Sequence, residues 1–379
     1  MMQRTTKIGV VFFLVVAFAL AVPAMADTMS TGVSIAAGGG DPPVIMCKWE
    51  QDESGYLEEG DISHIWPGSQ FLPNTVFEGT TTIKYYAVLF DEQDGGNVKI
   101  VSAYVYHPDL YGMEEGDWEP FKYQVRLSKV GHGPDEIAMV EDAVMAGLVE
   151  FGYTNDGSEV VWNGDDKTSV KLLLEKGTAD LWEGEAIIHY CQPAGEYEVV
   201  MKAMDQNDVA ANDLVNVFDY LPVDMAEFDF ASVDYGSTTV CTNKWATGNT
   251  IFLDEDGYPT VRNVGNIPLN VVIVRQDDMG FGYDNEGNWD VTFDARLGND
   301  GVGQVITYDP VKITDPGQNA VLPNILWMCH SEELDFSIHI LKGWYTDDPH
   351  IGTMTLGTTP SEIAPSWSNG GWIYYSNSG

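Results

Sequence analysis

The residues of this sequence that could form covalent bonds with one another are four cysteines, Cys47, Cys191, Cys241 and Cys329. No Cys-x-x-Cys pair is present to begin a zinc site, and an even number of cysteines in an exported chain reads first as disulfides. Three pairings exist. Cys47 with Cys191 and Cys241 with Cys329 is the one that keeps each bridge inside one half of the chain, on either side of Pro222, and it is the pairing the sequence predicts. Each bridge would close a loop of about a hundred residues and stabilise its half by roughly 4–5 kcal/mol in the chain-entropy model.

Other reactive constellations are missing. The histidines, at 64, 107, 132, 189, 330, 339 and 350, show no His-Glu-x-x-His or other paired spacing. No Gly-x-Ser-x-Gly elbow offers a serine nucleophile. Gly298-Asn299-Asp300-Gly301-Val302-Gly303 lacks the lysine of a phosphate-binding loop and reads as a turn. With 58 acids, no carboxylate pair can be singled out for glycoside hydrolysis, and an enzyme is not expected. Calcium is the sharper chemical idea, because it takes six to eight oxygens and acidic, glycine-bearing loops supply them. The candidates are Asp91, Asp94 and Asn97; Asp254, Glu255 and Asp256 before Gly257; and Asp277, Asp278, Asp284, Asn285 and Glu286 before Gly287. None completes an EF-hand loop. Solvated turn acids are the commoner use of such residues; calcium at Asp254, Asp256, Asp277, Asp278, Asp284 and Glu286 is the alternative carried forward.

Charge restricts the partners. Lys and Arg number 18 against 58 Asp and Glu, a formal net charge of −40 over 379 residues. Such a field repels nucleic acid and anionic lipid, and it favours cations. Aromatic residues at 12% and hydrophobic residues at 44% mean that the acids coat a genuine core rather than a disordered chain. Arg4 and Lys7 precede an apolar run, Ile8 to Val22, closed by Pro23-Ala24-Met25-Ala26, which is the pattern of a secretory leader at 1–26. Its removal takes away two cations and no acid, bringing −40 to −42. No second apolar run has transmembrane length, so an extracellular or cell-surface location is expected. No Asn-x-Ser/Thr acceptor for N-glycans occurs.

The elements that must position these residues are mostly strands. A flexible N-terminal arm is expected over 27–43, ending Gly38-Gly39-Gly40-Asp41-Pro42-Pro43. β-Branched and aromatic runs predict strands at Thr81–Phe90, Val98–Tyr106 and Phe121–Val130, and short strands without βα alternation predict an antiparallel sandwich. Gly133-Pro134-Asp135-Glu136 opens one helix, and Ile137, Val140, Val144, Leu148 and Phe151 continue it to Gly152. The first sandwich is assigned to 44–223, with its helix near 134–151. The second is assigned to 224–357, from the alternating Glu227–Tyr235 onward, with strands at Thr260–Asn263, Leu269–Val274, Trp289–Phe293, Leu334–Leu341 and Thr353–Leu356 and a tight turn at Asn263-Val264-Gly265-Asn266. A C-terminal tail at 358–379 carries Trp367, Trp372, Tyr374 and Tyr375.

The segment from Ala186 to Asp205, with Cys191, Pro193, Gly195 and Tyr197, resembles the E–F corner of immunoglobulin-like extracellular sandwiches. There a tyrosine just past the crossover ties the turn to the backbone by its hydroxyl. Asp205-Gln206-Asn207-Asp208 then reads as a hairpin turn into Leu214–Val223. The antibody Cys-Trp-Cys pattern is absent, so the likeness is architectural. Further motifs are Pro42-Pro43-Val44-Ile45-Met46-Cys47-Lys48-Trp49-Glu50, Gln276-Asp277-Asp278-Met279-Gly280-Phe281-Gly282, Asn288 to Gly298 and Leu334-Asp335-Phe336-Ser337-Ile338-His339. With these the mature chain resembles exported two-domain surface proteins of methanogenic archaea, of the sheath or S-layer kind. The resemblance implies a structural envelope component that assembles with itself or with other surface proteins, and the net charge implies that cations would screen that assembly. Pairing of a strand edge with the 27–43 arm is one route. The alternative is an extracellular adhesin or carbohydrate binder, with loop residues such as Trp66, Trp118 and Trp344 stacking on sugars.

Overall fold

Strand β3 (Thr80–Phe90) shows how the chain builds its first half. Its side chains alternate, as strand geometry requires. Ile83, Tyr85, Ala87 and Leu89 enter one apolar cluster, while Tyr86, Val88 and Phe90 enter another on the opposite face. Burial on both faces explains why its hydrophobic alternation is imperfect in the sequence. The same holds for β1 (Val44–Asp52), which runs beside it in antiparallel register, Lys48 opposite Ala87 and Glu50 opposite Tyr85.

The computed structural model describes residues 41–52, 70–91, 98–107, 122–253, 256–298, 305–310, 319–343 and 348–365. The leader, the arm before Asp41, the tail from 366 onward, Trp66, Trp118, Trp344, Asp94, Asn97, Asp254 and Glu255 lie outside the described residues. The chain is mainly β. Further strands of the first half are β2 (Gln70–Phe71), β4 (Val98–Tyr106), β5 (Lys122–Gly131), β6 (Glu150–Phe151), β7 (Ala179–His189), β8 (Gly195–Asp205) and β9 (Leu214–Tyr220). They pair in the order β2-β9-β8-β4-β5-β7-β3-β1-β6. Strand β5 is the fold line. Tyr123 to Leu127 pair with β4, whereas Ser128 to Gly131 pair with β7 across a bulge. The sheet thus turns back on itself, and β1, β3 and β7 face β4, β8 and β9 across a shared core.

The outer face of β1, β3 and β7 is covered by helices α1 (Pro134–Ala146) and α2 (Val170–Glu175), whose Val140, Ala143, Leu173 and Leu174 complete the second cluster. Helix α1 starts where the sequence predicts, with proline in its first turn, but it ends earlier. Gly147 adopts φ 76°, and the amides of Gly147 and Leu148 close on Val144 and Ala143. Leu148 and Phe151 do reach the same cluster, from extended chain rather than helix, because β6 pairs with Cys47 and Lys48 of β1. Helical spacing alone could not separate the two cases.

The second half packs two sheets against one core. One holds β10 (Ala226–Phe228), β12 (Thr260–Asn263), β17 (Ser331–Ile340), β14 (Val291–Leu297) and β15 (Ile306–Tyr308) in that order, with β11 (Asn243–Ala246) also on β17. The other is β16 (Ala320–Leu326), β13 (Leu269–Gln276) and β18 (Met354–Pro360). Val261, Phe293 and Phe336 from the first meet Leu269, Val271 and Leu322 from the second. The alternating Glu227–Tyr235 stretch forms strand only at Ala226–Phe228; Asp229 keeps one backbone bond, to Thr260 O, and its carboxylate accepts the amides of Thr260 and Leu253. The turn at Asn263–Asn266 joins strands of different sheets, so it is a crossover rather than a hairpin.

The predicted cysteine pairing is overturned. Cys191 is bonded to Cys329, a separation of 138 residues, and the bridge runs between the two halves instead of within either. Cys47 and Cys241 are unpaired. Strand β17 gives the reason for one of the failures. Cys329 precedes its start while Cys241 donates its amide to Ile340 at its far end, so a strand of roughly 30 Å separates them. Cys47 lies in the cluster under the helices, whereas Cys191 lies with Tyr190, Val264 and Met328 in another. Alkylation of the native protein followed by peptide mapping should label Cys241, which is exposed, and spare Cys47, whose thiol burial pushes far up, until denaturant is added. Cys191 and Cys329 should appear as one linked peptide, and reducing them should remove about 5 kcal/mol of stability in the chain-entropy model.

Candidate functional site

Because β1 is buried on both faces over Val44–Glu50, the polar side chains of Lys48 and Glu50 have nowhere to reach water. Lys48 and Glu50, two residues apart, share the face that looks across the core toward β8 and β9. Lys48 Nζ donates to Val199 O at 2.7 Å and lies 3.2 Å from Glu50 Oε1. Asn216 Nδ2 donates to Glu50 Oε2 at 2.5 Å. Val199 and Asn216 stand opposite one another in the β8–β9 ladder, which fixes both beneath β1. Lys48, Glu50 and Asn216 are 0, 1 and 6% exposed.

This is a water-poor site. Burial holds the Lys48 ammonium below the ordinary lysine range, opposed by the attraction of Glu50. The hydroxyls of Tyr85 and Tyr123 meet at 2.7 Å, and burial pushes both phenols up; for Tyr85 the neighbouring Tyr123 and Glu50 add to this, whereas for Tyr123 the hydrogen bonds from Tyr85 and Gln192 oppose it. A lysine amine biased toward its neutral form, a carboxylate and a carboxamide thus meet at one point. In the sequence, Lys48 and Glu50 close the Pro42–Glu50 motif with no chemistry assigned to them. The legible signals were opposite charges at i and i+2 at the end of the apolar Val44–Trp49 run, and Asn216 at a position that the alternation of Phe218 and Tyr220 turns inward.

A second constellation lies where the halves meet. Tyr197 Oη donates to Pro193 O at 2.7 Å, the tie expected at this corner. Asn266, fully buried, donates to Leu221 O and accepts from Val223 N, and its carbonyl accepts from Ala194 N, so one side chain and its backbone pin the corner and the connecting segment together. His189 Nδ1 lies 2.9 Å from Cys191 Sγ. His189, Cys191 and Cys329 bring three donor atoms within 4.8 Å, but the two sulfurs are spent in the disulfide.

The oxygens of the acidic loops accept hydrogen bonds. Asp277 accepts from Met279 N and Thr353 N, Asp278 from Gly280 N and Gly282 N, and Asp284 from Glu286 N and Asn288 N. Hydrogen bonds from Asn288 hold the Asp284 carboxyl below the ordinary range. Asp256 accepts from Tyr258 N and Asn249 Nδ2. These carboxylates shape their own turns.

Asp256 belongs to a loop, 249–259, that exposes apolar side chains: Ile251 is 66%, Leu253 57% and Tyr258 52% exposed. Beside it, Val76 and Phe77 are exposed on the loop before β3. Arg262 of β12 is the organiser. Its guanidinium lies 4.0 Å from the Phe77 ring and 3.8 Å from the Phe252 ring, and it pairs with Glu227 at 2.5 Å. One planar cation between two rings fixes a loop of the first half against a loop of the second.

No protein-family model matches the chain, and no curated protein does. Solved structures give distant likenesses. The C-terminal domain of the antigen I/II polypeptide BspA of Streptococcus agalactiae aligns at 10% identity and TM-score 0.19, over 84% of this chain and 100% of that one. The corresponding domain of AspA of Streptococcus pyogenes aligns at 14% and 0.20, over 84% and 100%. A complex of the chaperone CsuC with the pilus-tip adhesion subunit CsuE of Acinetobacter baumannii gives 8% and 0.24, over 76% and 97%. At these TM-scores the likenesses assign neither family nor activity. No helix among the described residues is long and apolar enough to cross a membrane.

Burial lowers the His189 pKa below its ordinary 6.5, against a smaller opposing pull from Glu78. The unfolded chain therefore binds the proton first as pH falls, and His189 contributes a loss of stability from 6.5 down toward its folded value, with no contribution above. Melting temperature measured from about pH 7.5 to about pH 5.5 should fall more steeply for the native protein than for His189→Gln; equal slopes would remove this residue from the account.

Proposed function

We propose that the protein is an exported cell-surface protein that works by binding, in the manner of an adhesin, with two β-sandwich units as a rigid holder for exposed loops. The observation that carries this reading is two loops that expose Val76 and Phe77 on one and Ile251, Leu253 and Tyr258 on the other, tied to one another where Arg262 meets the rings of Phe77 and Phe252. Large apolar side chains exposed together on loops that are held in place support an interaction site. The bridge between Cys191 and Cys329 supports an oxidising, extracellular setting, in keeping with the leader that the sequence predicts at 1–26. The function proposed is non-enzymatic.

The narrower reading, a sheath or S-layer component that packs against its own copies, draws on the sequence resemblance and on the charge of −40, which copies could approach only with cations between them. Calcium at Asp256, Asp277, Asp278, Asp284 or Glu286 belongs to that reading. One pair of measurements separates the two. Binding of the mature protein to isolated envelopes of its own cells should weaken about tenfold or more in Ile251→Asp/Leu253→Ser, the effect of about 1.4 kcal/mol, with melting temperature unchanged. Undiminished binding would contradict the adhesive reading. Sedimentation velocity in calcium and in chelator should show a monomer in both; calcium-dependent assembly would favour the envelope reading.

A further inference from the structure

We propose that Lys48 and Asn216 form a spontaneous intramolecular isopeptide bond, with Glu50 as the proton-transfer group. Three observations place the reactants. One carboxylate holds both: Glu50 Oε1 is 3.2 Å from Lys48 Nζ, and Glu50 Oε2 accepts from Asn216 Nδ2 at 2.5 Å. All three side chains are sealed in the core between the facing sheet halves. The strands that carry them are locked by their ladders, β1 against β3 and β9 against β8. Holding an amine and a carboxamide together in this way turns an encounter that is negligibly slow in water into a unimolecular step. The hydrogen bonds described above are those of the unreacted groups.

The chemistry balances without a co-reactant. The neutral Lys48 amine attacks Asn216 Cγ, forming the Nζ–Cγ bond. Glu50 takes a proton from Nζ and delivers one to Nδ2, the Cγ–Nδ2 bond breaks, and Nδ2 leaves as ammonia. Glu50 ends as it began. Burial supplies two requirements: it disfavours the ammonium, which has no lone pair to attack with, and it excludes the water that would compete for the activated carbonyl. An alternative purpose for the trio is a plain buried ion pair. That arrangement stabilises little against an apolar core of similar volume, so stability alone does not account for placing it there. The bond would join the first strand of the first half to its last, and would enclose β2 to β8 and both helices in one covalent ring.

Mass spectrometry of the reduced, purified mature protein tests this directly. The intact mass should be lower than the sequence requires by one ammonia, and a protease digest should contain a branched peptide joining the Lys48 and Asn216 segments. The branched peptide decides, because a succinimide at Asn163-Gly164 would lose the same mass without it. Glu50→Gln should restore the full mass and abolish the branched peptide. Asn216→Asp, if it reacts, should lose one water instead of one ammonia and give the same branch. A native protein of full mass, or a digest with separate Lys48 and Asn216 peptides only, overturns the proposal. An undiminished branch in Glu50→Gln overturns the role given to Glu50.

Discussion

Everything in the first half of this protein follows from strand β1 having no solvent-facing side. One face meets the helices through Val44, Met46, Cys47 and Trp49, and the other meets the folded-back sheet. A strand in that position must be apolar or must solve its polar groups internally. Here it does the second, with Lys48 answered by Glu50 and Val199 O, and Glu50 answered by Asn216. Leaving any member uncompensated would strand a charge or an amide in the core, a cost of several kcal/mol. The three residues thus fix the register of β1, β8 and β9 relative to one another, because a slip of one residue would turn the lysine and glutamate toward the helices.

The same logic of internal satisfaction governs the joint between the halves. Asn266 satisfies backbone groups of the connecting segment, Tyr197 satisfies the corner, and the bridge from Cys191 to Cys329 makes the contact covalent. Arg262 extends this joint to the surface, where its stacked rings carry the exposed loops. Apolar side chains displayed on fixed loops lose less entropy on binding than the same side chains on a mobile segment. That is the physical link between a stiff core and the binding role proposed for these loops.

How far the sequence disclosed this depended on the range of the interaction. Strands β3, β4, β8 and β13 were legible because their β-branched and aromatic runs are local, as was the start of α1 at Pro134. The end of α1 was not, because Leu148 and Phe151 satisfy helical spacing while reaching the same cluster as extended chain. The tyrosine tie of Tyr197 was readable from its distance to Pro193, only four residues. The cysteine pairing was misread because economy within each half said nothing of the segment that brings Cys191 beside Cys329. The acids at Asp277, Asp278 and Asp284 are visible in the sequence by their number, but the amides that their oxygens accept from are seen only in the fold. The trio at Lys48 was hidden for the opposite reason: its partner Asn216 lies 166 residues beyond Glu50, and only the folded sheet brings them together.

The claim on which the rest hangs is that β1 and β9 are permanently tied through the core. Stretching single molecules from their ends under reducing conditions, with the disulfide open, measures that tie by length. A bond from Lys48 to Asn216 withholds the chain between them, so the fully extended protein should come out shorter than its sequence allows by about 550–600 Å. A molecule that extends to the full contour length of its sequence would contradict the account.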